Sequence, residues 1–362
     1  MYKIRYRNLS VSDPQFKAEL LAAVDRVLTH GIFILGTEVE EFEQLIAKYC
    51  QRQYCVGMNS GTDALFFAIK AMNIGAGDEV ITTPMSWVAT ANAIVVNGAT
   101  PVFVDVADDL NINPDLIEAA ITKYTKAIVP VHFTGRLCKM DKILAIAERH
   151  GIPVIEDAAQ AFGAYCDEGV AGSFGKLSCF SMNPMKGLCA YGEAGVVVTD
   201  DPILQEKMRS LRYAGTVNRE DCHIPSLNGR IDTIQAAMMI VGLRHFTKKM
   251  ERLHQIAAYY FKNLKEIVTC PLNDGSYHAF YSYTIVTDKR DDLKDYLASC
   301  GVETKIQHSL LIPYHTAYRG RFDIKIPTAE RLVKQILCIP SHEHLSDEDV
   351  AYITQCIKDF FA

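Results

Sequence analysis

Four short runs rich in β-branched residues recur at intervals of roughly 25 residues: Val80-Ile81-Thr82-Thr83, Val102-Phe103-Val104-Asp105, Ala127-Ile128-Val129-Pro130-Val131 and Pro153-Val154-Ile155-Glu156-Asp157. Each reads as a strand, and the stretches between them read as helices. The clearest helix runs from Gly61 to Met72, where Leu65, Ala68, Ile69 and Met72 share one face. Strands alternating with helices imply βαβ units, hence an α/β fold with a mostly parallel sheet and helices on both faces.

Sheets of this kind place their ligands outside the carboxyl ends of the strands. Those ends are polar here: His132 follows Val131, Glu156-Asp157 follow Ile155, and Ser181 follows Cys179-Phe180. Beyond Leu243 the pattern changes to a charged helix over Thr247 to Leu264, an alternating strand over Tyr281 to Val286 and a helix near Asp291 to Ser299. This predicts a large domain over 1–244 and a smaller α+β domain over 245–362.

A chain of 362 residues with 49% hydrophobic content can bury a core of that size. Its net charge of -6 gives no basic field, which argues against nucleic acid as a partner. Eleven cysteines without a C-x-x-C pair read as thiols in a reducing compartment. The first seven residues lack a signal-peptide core, and no apolar run approaches the roughly 18 residues that span a bilayer. A cytoplasmic protein with no membrane association is expected.

Three constellations carry possible chemistry. Asn59-Ser60-Gly61-Thr62-Asp63-Ala64-Leu65 starts an amphipathic helix, where free N–H groups and the dipole suit a phosphate; an ordinary N-cap has the same composition. Asp157 ends a buried strand, where a carboxylate needs a cation such as a pyridinium nitrogen, unless it merely caps a helix. Lys186, in Phe180-Ser181-Met182-Asn183-Pro184-Met185-Lys186-Gly187, lies near the same sheet edge. A confined lysine there has a lowered pKa and can form a Schiff base, whereas most lysines are solvated.

Taken together, these motifs resemble the DegT/DnrJ/EryC1/StrS family of pyridoxal 5′-phosphate (PLP) sugar aminotransferases, and the similarity runs from Gly36-Thr37-Glu38-Val39-Glu40-Glu41-Phe42-Glu43 to the C-terminal domain. The resemblance implies an aspartate-aminotransferase-like fold (PLP fold type I) and amino transfer from L-glutamate to a nucleotide-linked 3- or 4-keto-deoxysugar, with pyridoxamine phosphate as the intermediate cofactor form. It makes Lys186 the cofactor-bearing lysine, Asp157 the partner of the ring nitrogen and Gln160 a neighbour of the ring hydroxyl. Gly61, Thr62 and Ser181 would hold the phosphate. Trp87 would stack on the ring, the alternative being a core tryptophan.

Leu227-Asn228-Gly229-Arg230-Ile231 resembles a family segment whose asparagine crosses to the other subunit's phosphate, which implies a homodimer with shared sites. Arg230, Asn183 and His315 would face the substrate. His132 could also simply cap a strand. Ser341-His342-Glu343-His344 offers only two histidines and reads as solvated, so no metal is expected. The chain departs from the family pattern at Asn183 and Gly229, where an aromatic or histidine is frequent, and at Tyr213-Ala214-Gly215, which lacks a histidine. Other readings are a PLP-dependent sugar dehydratase, which carries histidine in place of Lys186, a fold-related lyase, and a non-catalytic PLP-binding regulator.

Overall fold

Strand β1 (Tyr54–Met58) runs into helix α3 (Gly61–Ala71), after helices α1 (Pro14–His30) and α2 (Thr37–Tyr49). The computed structural model describes residues 2–271, 276–322 and 324–362. Next come β2 (Glu79–Thr82), α4 (Ala89–Val96), β3 (Thr100–Phe103), β4 (Thr125–Val129), α5 (Met140–His150) and β5 (Ile155–Asp157). The central sheet is completed by β6 (Leu177–Ser181) and β7 (Gly195–Thr199), followed by α6 (Pro202–Leu211).

Two sheet segments, ordered β1-β7-β6-β5 and β3-β2-β4, are joined by parallel bridges Ile128↔Val154 and Val131↔Asp157. Only β7 runs against its neighbours β1 and β6; the β5–β6, β2–β3 and β2–β4 pairs are parallel. The expected mostly parallel sheet is therefore present. Its strands are buried on both faces, as the apolar runs require when helices cover both sides.

The helix anticipated from Thr247 begins much earlier. Helix α7 (Thr233–Leu264) is one continuous 32-residue element. Its first half is apolar enough to lie in the large core through Ala236, Met239, Ile240 and Phe246, and Met250 and Leu253 stay in that core, so the charged pattern that starts near Thr247 marks an exposed face of a continuing helix rather than a helix start. Its last turns, Ile256 to Leu264, enter a second core with β8 (Tyr283–Val286), α8 (Arg290–Ser299), β9 (Ile336–Ile339) and α10 (Asp347–Phe361) around them, while α9 (Pro327–Gln335), which leads into β9, packs separately against Met85 and Phe133. The division proposed at 244/245 thus falls inside a helix. Ile4, from the chain's start, packs in the second core and bridges to Val302. Strand β8 is shorter than the anticipated run and does not alternate, because Tyr283, Thr284 and Ile285 are all buried.

A carboxylate near the end of β3 fastens α9 to the large sheet. Ile326, which precedes α9, offers no side-chain cap, and Asp105 supplies one instead by accepting the N–H groups of Thr328 and Ala329, each at 2.9 Å. Around it Met85, Val106 and Phe133 pack with Leu311, Leu332 and Ile336. Replacing Asp105 by Ala removes the cap and is expected to cost about 1–2 kcal/mol, read as a lower midpoint in urea or thermal unfolding.

Candidate active site

The N-terminus of α3 meets the end of β6. Ser60 is extended and its hydroxyl accepts the Asp63 N–H at 3.0 Å, so the cap and the donor cradle coexist on different residues. The N–H groups of Gly61 and Thr62 belong to the first turn, which has no intrahelical acceptors. A Cβ on Gly61 would lie 2.5 Å from the Cβ of Ser181, so only glycine lets the helix end close against that strand. Gly61, Thr62 and Ser181 thereby gather donors at the positive end of a helix dipole, an arrangement that receives a phosphate.

Asp157 ends β5 and is buried. Its Oδ2 accepts the Thr90 hydroxyl at 2.7 Å, and Thr90 in turn pairs with Ser86 at 2.9 Å. Its Oδ1 accepts the Ala159 N–H at 3.2 Å. Burial raises the pKa of Asp157, against the lowering effect of Thr90, the Ala159 N–H and the charge of Lys186. A buried carboxylate so placed favours a cation beside it. The ammonium of Lys186 lies 4.4 Å from the centre of the Tyr281 ring. Burial lowers its pKa from 10.5 to about 8; Asp157 opposes that shift, and the cations Arg7 and Lys305 reinforce it. The geometry therefore brings a nucleophilic amine and a buried acid under each other's influence, as their sequence positions at one sheet edge anticipate.

Trp87 is not a core residue: it is 59% exposed. Its ring is 5.7 Å from that of His308, which also lies 5.8 Å from Phe133. Gln160 is buried, and its Oε1 accepts the Thr134 N–H at 2.9 Å and the Gln307 amide at 3.1 Å. Asn183 donates to Glu193 at 2.7 Å. Asn228 is exposed and accepts from the Arg230 Nε at 2.8 Å, while the Arg230 guanidinium covers the Tyr213 ring at 4.4 Å. These two residues therefore pair with each other on an open face. Gly229 cannot carry the aromatic frequent in the family, since a Cβ there would meet Phe67 at 2.1 Å.

Several site residues escape the sequence reading. Thr90 follows Trp87 by three positions and touches Asp157, but an isolated threonine in a helix gives no signal of its own. His308 has a buried Nε2 without a partner, and burial together with the charges of Lys186, Lys305 and His315 lowers its pKa to about 4. That effect places His315 near the same cluster. The solvated reading of Ser341-His342-Glu343-His344 is corrected: Ser341 and His342 are buried, and Glu343 pairs with Lys249 at 3.0 Å. The chain returns here beneath the N-terminal segment, where Arg7 donates to the Ser341 carbonyl at 3.1 Å; local sequence could not reveal that contact. His132 follows β4, where its Nδ1 accepts the Cys138 N–H at 3.1 Å and its ring is buried against Glu156.

The DegT/DnrJ/EryC1/StrS aminotransferase family matches residues 14–358. The chain belongs to this family. It is 38% identical to the pleiotropic regulatory protein of Geobacillus stearothermophilus, over 98% of this chain and 97% of that one. It is 34% identical to dTDP-3-amino-3,4,6-trideoxy-alpha-D-glucose transaminase of Streptomyces venezuelae, over 99% and 96%. The crystal structure of S. venezuelae DesV in complex with a ketimine intermediate superposes with a TM-score of 0.96 at 33% identity, covering 99% of both chains. These likenesses carry the aminotransferase fold across the whole chain, including the second core.

The lowered pKa of Lys186 sets an expectation independent of any ligand. Acylation by an amine-specific reagent, followed by peptide mapping, should label Lys186 with a midpoint near pH 8, whereas ordinary lysines follow 10.5. Because the Asp157 charge raises that pKa, Asp157→Asn should move the midpoint lower still.

Proposed function

We propose that this enzyme moves an amino group from L-glutamate to a nucleotide-linked 3- or 4-keto-deoxysugar, with PLP as cofactor, to make amino sugars for lipopolysaccharide or another glycan. The observation that carries the reading is the low-pKa amine of Lys186 beside the buried Asp157, at the strand end that also presents Gly61, Thr62 and Ser181. The fit to PLP is chemical at each point. The cradle is closed to anything larger than glycine, the buried acid feels the charge of Lys186, and the sole tryptophan stands exposed.

When bound, PLP supplies an electron sink for the electrons released as a proton leaves the carbon bearing the amine. The chain's own groups do the rest. Asp157, held by Thr90, would pair with the ring nitrogen. Gly61, Thr62 and Ser181 would hold the phosphate, and Trp87 and Gln160 would flank the ring. Lys186 would anchor the cofactor's aldehyde and serve as the proton carrier; an amine titrating near 8 can both accept and return a proton close to neutral pH.

Asn183, Arg230 and His315 face the substrate, and His308 adds a neutral imidazole whose free Nε2 can bind a sugar hydroxyl or carbonyl. In a cytoplasmic homodimer, the partner subunit's Asn228 completes the phosphate site.

The regulatory name of the Geobacillus relative favours a second reading, a non-catalytic PLP-binding regulator. Both Lys186 and Asp157 are retained here, which supports catalysis. An absorbance scan separates the two: a band near about 400–430 nm that bleaches on adding L-glutamate is expected for a transaminase, and a band unmoved by any amino acid supports the regulator. The glutamate-treated protein should then aminate one or more nucleotide keto-sugars in a panel, read by mass and NMR, and Lys186→Ala should abolish both band and product.

A further inference from the structure

Next to Asp157 on the three-residue strand β5 stands Glu156, wholly buried. Its Oε2 accepts the Nε2–H of His132 at 3.0 Å and the Gly172 N–H at 2.9 Å. Its Oε1 accepts the N–H groups of Phe174 at 2.8 Å and Gly175 at 2.7 Å, and the Ser178 hydroxyl at 2.6 Å. Burial alone would raise the pKa of this carboxylate, but His132, Ser178 and the Gly175 N–H hold it down to about 2. The other ring nitrogen of His132, Nδ1, accepts the Cys138 N–H at 3.1 Å, so the hydrogen-bond pattern assigns the proton to Nε2 and a neutral ring.

The proposed reaction uses neither residue, yet both are tied to Asp157. The His132 N–H donates to the Asp157 carbonyl at 3.1 Å, and the Asp157 N–H donates to the Pro130 carbonyl at 2.9 Å. A strand of three residues has few ladder bonds of its own, so its end needs another anchor. Glu156 provides one by binding the loop at 172–175 and Ser178 of β6 on one side and the segment after β4 on the other.

We propose that the His132–Glu156 pair is a positioning unit for Asp157, which locks the ends of β4 and β5 to the loop at 172–175 and to β6 and so fixes where the Asp157 carboxylate meets a protonated ring nitrogen. The proposal rests on the reading of Asp157 as the partner of that nitrogen. His132 and Glu156 are positioning residues; they touch no reacting atom.

Trp87 is the chain's only tryptophan, so quenching of its emission reports ligand binding at this edge. The full-length protein is titrated with PLP and with its 1-deaza analogue, in which a ring C–H replaces the nitrogen. His132→Leu should weaken PLP binding about tenfold and analogue binding by less than about twofold, the scale seen when groups that orient a ligand's direct partner are removed. His132→Gln, which keeps an N–H toward Glu156, should recover most of the PLP affinity. Equal loss for both compounds, or an unchanged PLP affinity, overturns the proposal, since a merely structural defect cannot distinguish N from C–H.

If His132→Leu does not fold, Glu156→Gln is measured in the same way, with a PLP-selective loss supporting the unit and an equal or absent loss overturning it. Equal affinity for the two compounds already in the unsubstituted protein overturns the underlying assignment of Asp157, a result distinct from failure of the pair.

Discussion

Two adjacent carboxylates buried at the end of one short strand are the constraint around which this structure is organised. An ion removed from water costs several kcal/mol unless its surroundings replace the lost solvation. Glu156 receives five donors from the protein and is satisfied within it. Asp157 receives two, and burial leaves its pKa raised. The contrast between the neighbours is chemical: one acid is spent on holding the fold, and the other is left with capacity for a cation that the chain itself does not bring into contact.

The same division of labour extends outward. Ser60 caps α3, which frees the first N–H groups of Gly61 and Thr62 for an anion. Asp105 caps α9 from the end of β3, which holds that helix in the cluster it shares with Phe133, whose ring lies beside His308. In both places a side chain satisfies a helix's first backbone N–H groups, and the polar groups around Asp157 and Lys186 are not drawn into that task.

How much of this was legible in the sequence follows from the range of each interaction. The β-branched runs and the Gly61 helix are local patterns, and the sheet and α3 appear where those patterns put them. Asp157 and Lys186 were legible because strand-end chemistry is local too. The start of α7 was missed because its first turns are apolar on several sides, as a helix passing through a core must be, and only the charged second half shows an exposed face. His308, Thr90 and the burial of His342 depend on contacts between segments far apart in the chain, and no window of sequence contains them. The departure at Gly229 could be noticed but not explained until Phe67 was seen to fill the space.

Helix α7 has a mechanical consequence. It passes without a break from the large core into the second one, and 32 residues at about 1.5 Å each make a rod nearly 50 Å long. A swing of one lobe against the other cannot be taken up by a flexible joint along this connection; it must bend the rod or slide its packed faces, both stiff deformations.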